Sequence, residues 1–301
     1  MLDGAVAMVG DECVATMFAL RRTYLTPAGP REFIEPFEWH SNEEWRAQAP
    51  GFRLARFFMR GPRALIGLPG TESATGLLER LRWARRGFLE RYALPLSGRF
   101  IRSRGRNALM GLAFDLVGRP LYKPAARKGG RVRLVASDAY PDQALEMVAA
   151  QRQFGLMRQP DATTLAWLRR APGALGRYTV HHVYDGSALA GWILTREYQR
   201  GGMRIGEILE LFLRDEARHL YGDAVAAASA QLAGRGVDGL LATSSSPEAI
   251  AGLHAARYRL DERREVFIWW KGDDAPEGAV LADGAIADHA FFPVDASASQ
   301  A

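Results

Sequence analysis

The 301-residue chain reads as two mixed α/β domains in tandem, each built on a sheet with parallel and antiparallel strands. Three observations predict this. The length suits two domains at roughly 100–200 residues each. Composition is that of an ordinary globular protein, 48% hydrophobic and 24% charged. Strand and helix periodicities alternate, and their order in the first half returns in the second.

The first strand is expected over residues 4–9 and the second over 12–25, split by the turn pair Gly10-Asp11. A third, over 32–39, follows Pro27-Ala28-Gly29-Pro30 and completes a meander. After Ser41-Asn42 the spacing of Leu54, Phe57 and Phe58 predicts a helix. Residues 63–68 form a short apolar strand, Pro69-Gly70-Thr71 opens a helix carrying Leu77, Leu78 and Leu81, and 83–94 reads as a closing strand or pair of strands. A basic, glycine-containing stretch follows over 97–130, with one apolar helical patch at 107–117.

The second half begins with a strand at 133–136 and helices at 141–154 and 162–170. A hairpin of 178–184 and 188–198 turns at Asp185-Gly186. Then come a strand at 205–213, an alanine-rich helix at 224–233, a strand at 239–242, a helix at 247–258, and strands at 264–270 and 290–294. The halves match from their meanders onward. This predicts domains at 1–98 and 131–301 joined by a basic linker, 99–130.

Lys+Arg number 39 and Asp+Glu 34, a net +5. The distribution is uneven: residues 44–133 hold 20 Lys+Arg and 5 Asp+Glu, or +15, leaving −10 for the rest. Such a block suits a polyanionic ligand or an acidic surface. Aromatics at the spacing of RNA-binding modules are absent, so nucleic acid is not the expected partner. One cysteine, Cys13, excludes internal disulfides and thiolate metal knuckles. No apolar run reaches the roughly 18 residues of a membrane span. The first ten residues lack the basic and apolar regions of a signal peptide, and a cytoplasmic location is expected.

The sharpest local signal is Trp45-Arg46-Ala47-Gln48-Ala49-Pro50-Gly51-Phe52, between the third strand and its helix. Small residues let the backbone approach a ligand closely, and free N–H groups at a helix start attract phosphate. Arg46 and Arg53 add charge. Other matches carry less. Gly234-Arg235-Gly236-Val237-Asp238-Gly239 fits G-x-G-x-x-G but follows a helix and precedes a strand, the reverse of the dinucleotide-binding order, and reads as a helix cap and turn. His181 and His182 are adjacent on a strand, so their side chains diverge and cannot share a metal.

In this topological place, Arg46 to Gly51 resembles the Arg-x-x-Gly-x-Gly loop with which the GCN5-related N-acetyltransferases bind the pyrophosphate of acyl-CoA, with Ala49 in place of the first glycine. Thr71, Ala74, Leu77 and Trp83 resemble the family's next segment, as do Ser246, Ala249 and Tyr258 in the second half. The resemblance covers nearly the whole chain, the first half resembling a domain that lacks its opening strand and helices. It implies acyl transfer, most simply acetyl, from acetyl-CoA or another acyl-CoA to a small-molecule or peptide amine, without a metal. Arg46, Ala47, Gln48, Ala49, Pro50, Gly51 and Phe52 would bind the cofactor. A central-strand carboxylate, Glu35 or Glu38, would take the amine's proton. In a regular strand these two point to opposite faces, so one enters a cleft. Glu207 and Glu210 hold the matching places in the second half.

The departures shape the expectation further. The slot for the family's general-acid tyrosine holds Leu78 in the first half and Leu253, beside His254, in the second. The second loop, 214–222, carries Asp215 and Glu216, which repel phosphate, so acyl-CoA is expected in the first half only. Two other readings follow from the same residues: a binding or scaffold protein that has lost the chemistry, and a cell-wall-type transferase using aminoacyl-tRNA, for which residues 99–133 would supply the basic surface.

Overall fold

Three strands open the chain as an antiparallel meander: β1 (Leu2–Val9), β2 (Glu12–Thr26) and β3 (Gly29–Ser41). Gly10 and Gly29 set the turns with φ of 59° and 106°, in the left-handed region. Ala15, Met17 and Ala19 are buried on one face of β2 while Phe18 on the other is exposed, the period of two that marks a strand. Helix α1 (Pro50–Arg60) lays Leu54, Ala55 and Phe58 on that buried face and leaves Phe57 in solvent. β4 (Ala64–Gly67) runs parallel to β3. α2 (Glu72–Arg80) starts at Thr71, whose hydroxyl oxygen accepts the Ala74 amide at 3.2 Å, a cap worth about 1 kcal/mol.

The chain continues through β5 (Ala84–Pro95), α3 (Gly98–Ser103), α4 (Ala108–Ala113), β6 (Val132–Ser137), α5 (Ala144–Ala150) and β7 (Leu156–Arg158). Next come α6 (Ala162–Arg170), β8 (Arg177–Asp185), β9 (Ala188–Arg200) and β10 (Met203–Leu213). α7 (Tyr221–Gly234), β11 (Gly239–Ser244), α8 (Pro247–Ala255), β12 (Arg259–Trp269) and β13 (Val280–Leu281) complete it. This computed structural model describes residues 2–105, 108–118, 130–152, 154–170, 176–271 and 280–281, and the side chains of Leu2, Asp3, Phe37, Glu38, Val280 and Leu281 are outside that description. The strand expected at 290–294 also lies outside the described residues. The helix expected over 141–154 is shorter, and β7 is a strand that periodicity did not reveal.

The chain forms two compact units that are not the contiguous domains expected. One comprises 1–88, 154–159 and 264–282; the other comprises 89–153, 160–263 and 283–301. In the first unit the strand order is β13-β7-β2-β3-β4-β12. β3 pairs with β2 from residue 15 to 26, so β1 and β7 share the opposite edge of β2, β1 along 12–20 and β7 at Tyr24 and Leu25. β12 closes this unit, Phe267, Ile268 and Trp269 pairing antiparallel with Gly67, Ile66 and Leu65.

In the second unit the order is β5-β11-β10-β9-β8-β6. Residues 90–95 of β5 pair antiparallel with 239–244 of β11. In each unit, then, the strand beyond the parallel pair comes from the other half of the sequence. The residues just before the expected linker belong to the second unit: the Leu96 amide donates to Asp238 O at 3.0 Å and the Ser97 hydroxyl to Asp238 Oδ1 at 2.8 Å. The main core of this unit packs α7 and α8 on the sheet through Val225, Leu232, Leu253 and Tyr258.

Candidate functional site

In the first unit β3 and β4 pair only at Phe33 with Ala64 and Ile34 with Leu65. Beyond them β3 runs on to Ser41 without β4, so the two parallel strands part after Ile34. The loop after β3 is anchored to β2, the Asn42 amide donating to Val14 O at 3.0 Å and its side chain to Cys13 O at 3.2 Å. A 3₁₀ turn, Glu43–Gln48, ends at Ala49, which takes the left-handed conformation (φ 51°, ψ 49°) and donates its amide to Arg46 O at 3.0 Å. α1 then begins at Pro50, which has no amide hydrogen to leave orphaned. The amides of Gly51 and Phe52 fall in the first turn, where no helical carbonyl is available to them.

Arg46, Ala47, Gln48 and Ala49 are exposed, Pro50 and Gly51 are buried, and Phe52 is half-buried. Arg46 stands 3.8 Å from Glu43, both well solvated, a pairing of small energy. Gly51 has a reason to be glycine other than the expected one. A Cβ there would lie 2.9 Å from Trp39 Nε1 and 3.2 Å from Ser41 Oγ, so packing against the end of β3 fixes the residue.

Glu35 is buried on the sheet face opposite Ile34 and α1, with Arg22 and Tyr24 of β2 on its own face. Tyr24 donates to Glu35 Oε1 at 2.5 Å, and Arg22 Nε stands 3.9 Å from Oε2. Burial pushes this carboxyl above the ordinary range, opposed by Arg22, by the tyrosine hydrogen bond and by Arg158 of β7. Glu38 stands at a break in register, where β3 offers residues 38 and 39 against Met17 alone, a β-bulge.

The second unit repeats the plan. β10 and β11 pair over 205–208 and 239–242, and β10 then continues to Leu213. A bulge at Leu209 lies between the pairs Ile208 with Thr195 and Glu210 with Leu194. Residues directly opposite share a face, so Arg196 and Glu207 lie together, and the bulge keeps Glu210 on that same face although it is three residues on. Arg196 donates to Glu207 at 2.6 Å with both side chains buried. Glu210 accepts from the Tyr140 hydroxyl at 3.0 Å and from Trp192 Nε1 at 3.4 Å. Both strands thus carry a buried glutamate beside an arginine at matching places: Leu213 minus Ser41 and Glu207 minus Glu35 are each 172 positions.

Beyond its pairing with β11, the end of β10 is met by a side chain of α7. The Tyr221 hydroxyl oxygen accepts the Leu213 amide at 3.4 Å. α7 and α8 meet at Gly222 and Gly252, where a Cβ on Gly252 would stand 3.0 Å from the Gly222 Cα. Arg218 pairs with Glu248, and Asp215 accepts the Arg152 amide at 2.8 Å.

No protein-family profile matches the sequence, and no curated protein matches it. Solved structures do. A GCN5-related N-acetyltransferase from Anabaena variabilis aligns at TM-score 0.57 and 8% identity, over 88% of this chain and 62% of that one. Saccharomyces cerevisiae N-myristoyltransferase with bound myristoyl-CoA aligns at 0.56 and 11%, over 91% and 74%. A GCN5-related N-acetyltransferase from Kribbella flavida gives 0.52 and 16%, over 88% and 59%. The chain has the GCN5-related N-acetyltransferase fold. It spans less than two thirds of the Anabaena and Kribbella proteins.

Within this acetyltransferase fold Leu78 and Leu253 are buried core residues, so the slots of the expected tyrosine are occupied by packing. A hydroxyl does reach the neighbourhood of Leu253 from elsewhere. Tyr92 of β5 donates to Glu90 at 2.5 Å and lies 3.5 Å from His254 Nε2, the two rings meeting edge to face. Burial and Glu90 hold the phenol well above its usual pKa, so it stays protonated. Sequence reasoning missed it because Tyr92 and His254 are 162 residues apart and join only through the pairing of β5 with β11. Among the described residues no three His, Cys, Asp or Glu side chains converge as a metal site, and no helix is long and apolar enough to cross a membrane.

Proposed function

We propose that the protein is an acyl-CoA-dependent N-acyltransferase that binds acyl-CoA in its first unit and transfers the acyl group, most simply acetyl, to a small-molecule or peptide amine. The observation that carries this reading is the parting of β3 and β4 beside an exposed, cationic helix start, set against a second unit in which the Tyr221 hydroxyl takes the amide at the end of the matching strand. Arg46 and the amides of Gly51 and Phe52 would meet the pyrophosphate, with Ala47, Gln48, Ala49 and Pro50 forming the wall of the loop. The amine nitrogen attacks the thioester carbonyl, the C–N bond forms, the C–S bond breaks, and the thiolate is protonated from solvent. Glu38, at the bulge, is the proposed acceptor of the ammonium proton. Glu35, bound by Tyr24 and flanked by Arg22, is better suited to hold the strand for that step than to reach an amine. The bound myristoyl-CoA of the yeast neighbour supports an acyl-CoA co-substrate.

Isothermal titration with acetyl-CoA and with myristoyl-CoA tests the site. Arg46→Ala with Gln48→Glu, both at exposed positions, is expected to weaken binding at least about tenfold. Absence of binding by the unaltered protein, or undiminished binding by the variant, overturns the assignment. The second reading, a binding protein without chemistry, draws on Leu78 in place of a general acid; binding without turnover of any amine in the presence of acyl-CoA would favour it.

A further inference from the structure

Helix α1 carries more positive charge than a pyrophosphate at its start would use. It holds Arg53, Arg56 and Arg60 and no acidic residue. All three arginines are exposed, and among the described residues none of them pairs with a carboxylate. They stand three and four positions apart, the spacings at which like charges on a helix repel. Arg60, in the last turn, is placed where the helix dipole favours a cation. Arg53, at the close of the first turn, is placed where the dipole opposes one. The front of the helix thus holds two arginines, Arg53 and Arg56, whose charge no carboxylate offsets.

Their side chains lean toward the helix start. A helical side chain covers the turn N-terminal to its own Cα, and Arg56 does so here, its guanidinium lying over the Phe52 ring at 5.8 Å from the centroid. Counted from Pro50 at about 1.5 Å per residue, the Cα atoms of Arg53 and Arg56 are about 4.5 and 9 Å along the axis, so both cations return to within about one turn of the Gly51 and Phe52 amides. Coenzyme A has a third phosphate, a 3′-phosphomonoester, which its ribose holds about one helical pitch, roughly 5–6 Å, from the pyrophosphate. We propose, resting on the acyl-CoA reading above, that Arg53 and Arg56 bind this 3′-phosphate. A guanidinium takes two phosphate oxygens through parallel N–H bonds, and the dianionic ester offsets the repulsion between the two arginines. The protein then selects free coenzyme A thioesters over thioesters borne on a phosphopantetheine arm, which has one phosphate and no 3′-ester.

Isothermal titration with acetyl-CoA and with 3′-dephospho-acetyl-CoA tests this. The unaltered protein is expected to bind acetyl-CoA about tenfold more tightly or better, a preference that shrinks in high salt. Arg53→Ala with Arg56→Ala is expected to lose the preference by weakening acetyl-CoA alone, whereas Arg46→Ala weakens both thioesters. Alanine suits a helix at both exposed positions, and circular dichroism confirms the fold. Should the double variant fail to fold, the two thioesters on the unaltered chain decide. Equal affinity of the unaltered protein for both, or an equal loss of both in the Arg53 and Arg56 variant, overturns the proposal and leaves the acyl-CoA reading standing. Binding of neither thioester overturns the two together.

Discussion

A buried imidazole makes His181 a liability in acid. Its Nε2 lies 3.0 Å from Thr195 Oγ1, and the Thr195 hydroxyl donates to Thr179 O at 3.3 Å, so Nε2 carries the ring hydrogen and Nδ1, which has no partner, is bare. Burial, with Arg235 and His182 acting in the same sense against Glu197, lowers the pKa to about 4. Between the ordinary value near 6.5 and that value the unfolded chain binds the extra proton, so the stability present at neutral pH is lost as pH falls through this window. Calorimetric melts should show a Tm that drops by several degrees from about pH 6.5 to about pH 4, and His181→Asn should flatten that slope. Glu35 offers a second test. Glu35→Ala strips the carboxylate from between Arg22 and Arg158 and is expected to cost about 3–5 kcal/mol in urea unfolding, whereas Glu35→Gln keeps an acceptor for Tyr24 and costs less. That Glu35 sits on the central strand was legible in the sequence. That an arginine 158 − 35 = 123 residues downstream faces it was not, because β7 is too short to show a period.

Elements were the most legible level, and their failures are informative. The meander, α1, β4, α2, the β8–β9 hairpin and α7 all follow from hydrophobic period or short apolar runs bounded by turn residues. The bulges at Leu209 and at residues 38–39 escaped, because one extra residue in a strand leaves no compositional mark yet reverses the alternation that follows. The small residue at 51 was legible and its cause was not, for the sequence does not show that Trp39 passes over α1. Gly51→Ala is accordingly expected to destabilise by about 1–3 kcal/mol, and Trp39→Phe in the same chain, which removes Nε1, to restore much of the loss. A double-mutant cycle from thermal melts measures that coupling; strict additivity of the two changes would remove the steric account.

At the scale of the molecule the mixed α/β class was legible, and the strand that closes each unit was not. β5 and β12 carry the same kind of pattern, and nothing local records which parallel pair each will extend. That arrangement predicts how fragments behave. Residues 1–98 and residues 131–301, expressed separately, should each lack the cooperative unfolding that the intact chain shows by circular dichroism, because neither piece contains a complete unit. A piece that folds alone would show the borrowed strand to be dispensable. Synthesis from the N-terminus gives the same arrangement a temporal meaning. The first unit has its meander and helices by residue 88 but waits for residue 264, an interval of 264 − 88 = 176 residues. At ~5–20 residues per second that is roughly 10–35 s during which the outer edge of β4 has no partner on the nascent chain. For that period an unprotected strand edge, the commonest template for wrong pairing, is exposed on the ribosome, and rapid elongation or a chaperone bound to that edge would raise the yield of native protein.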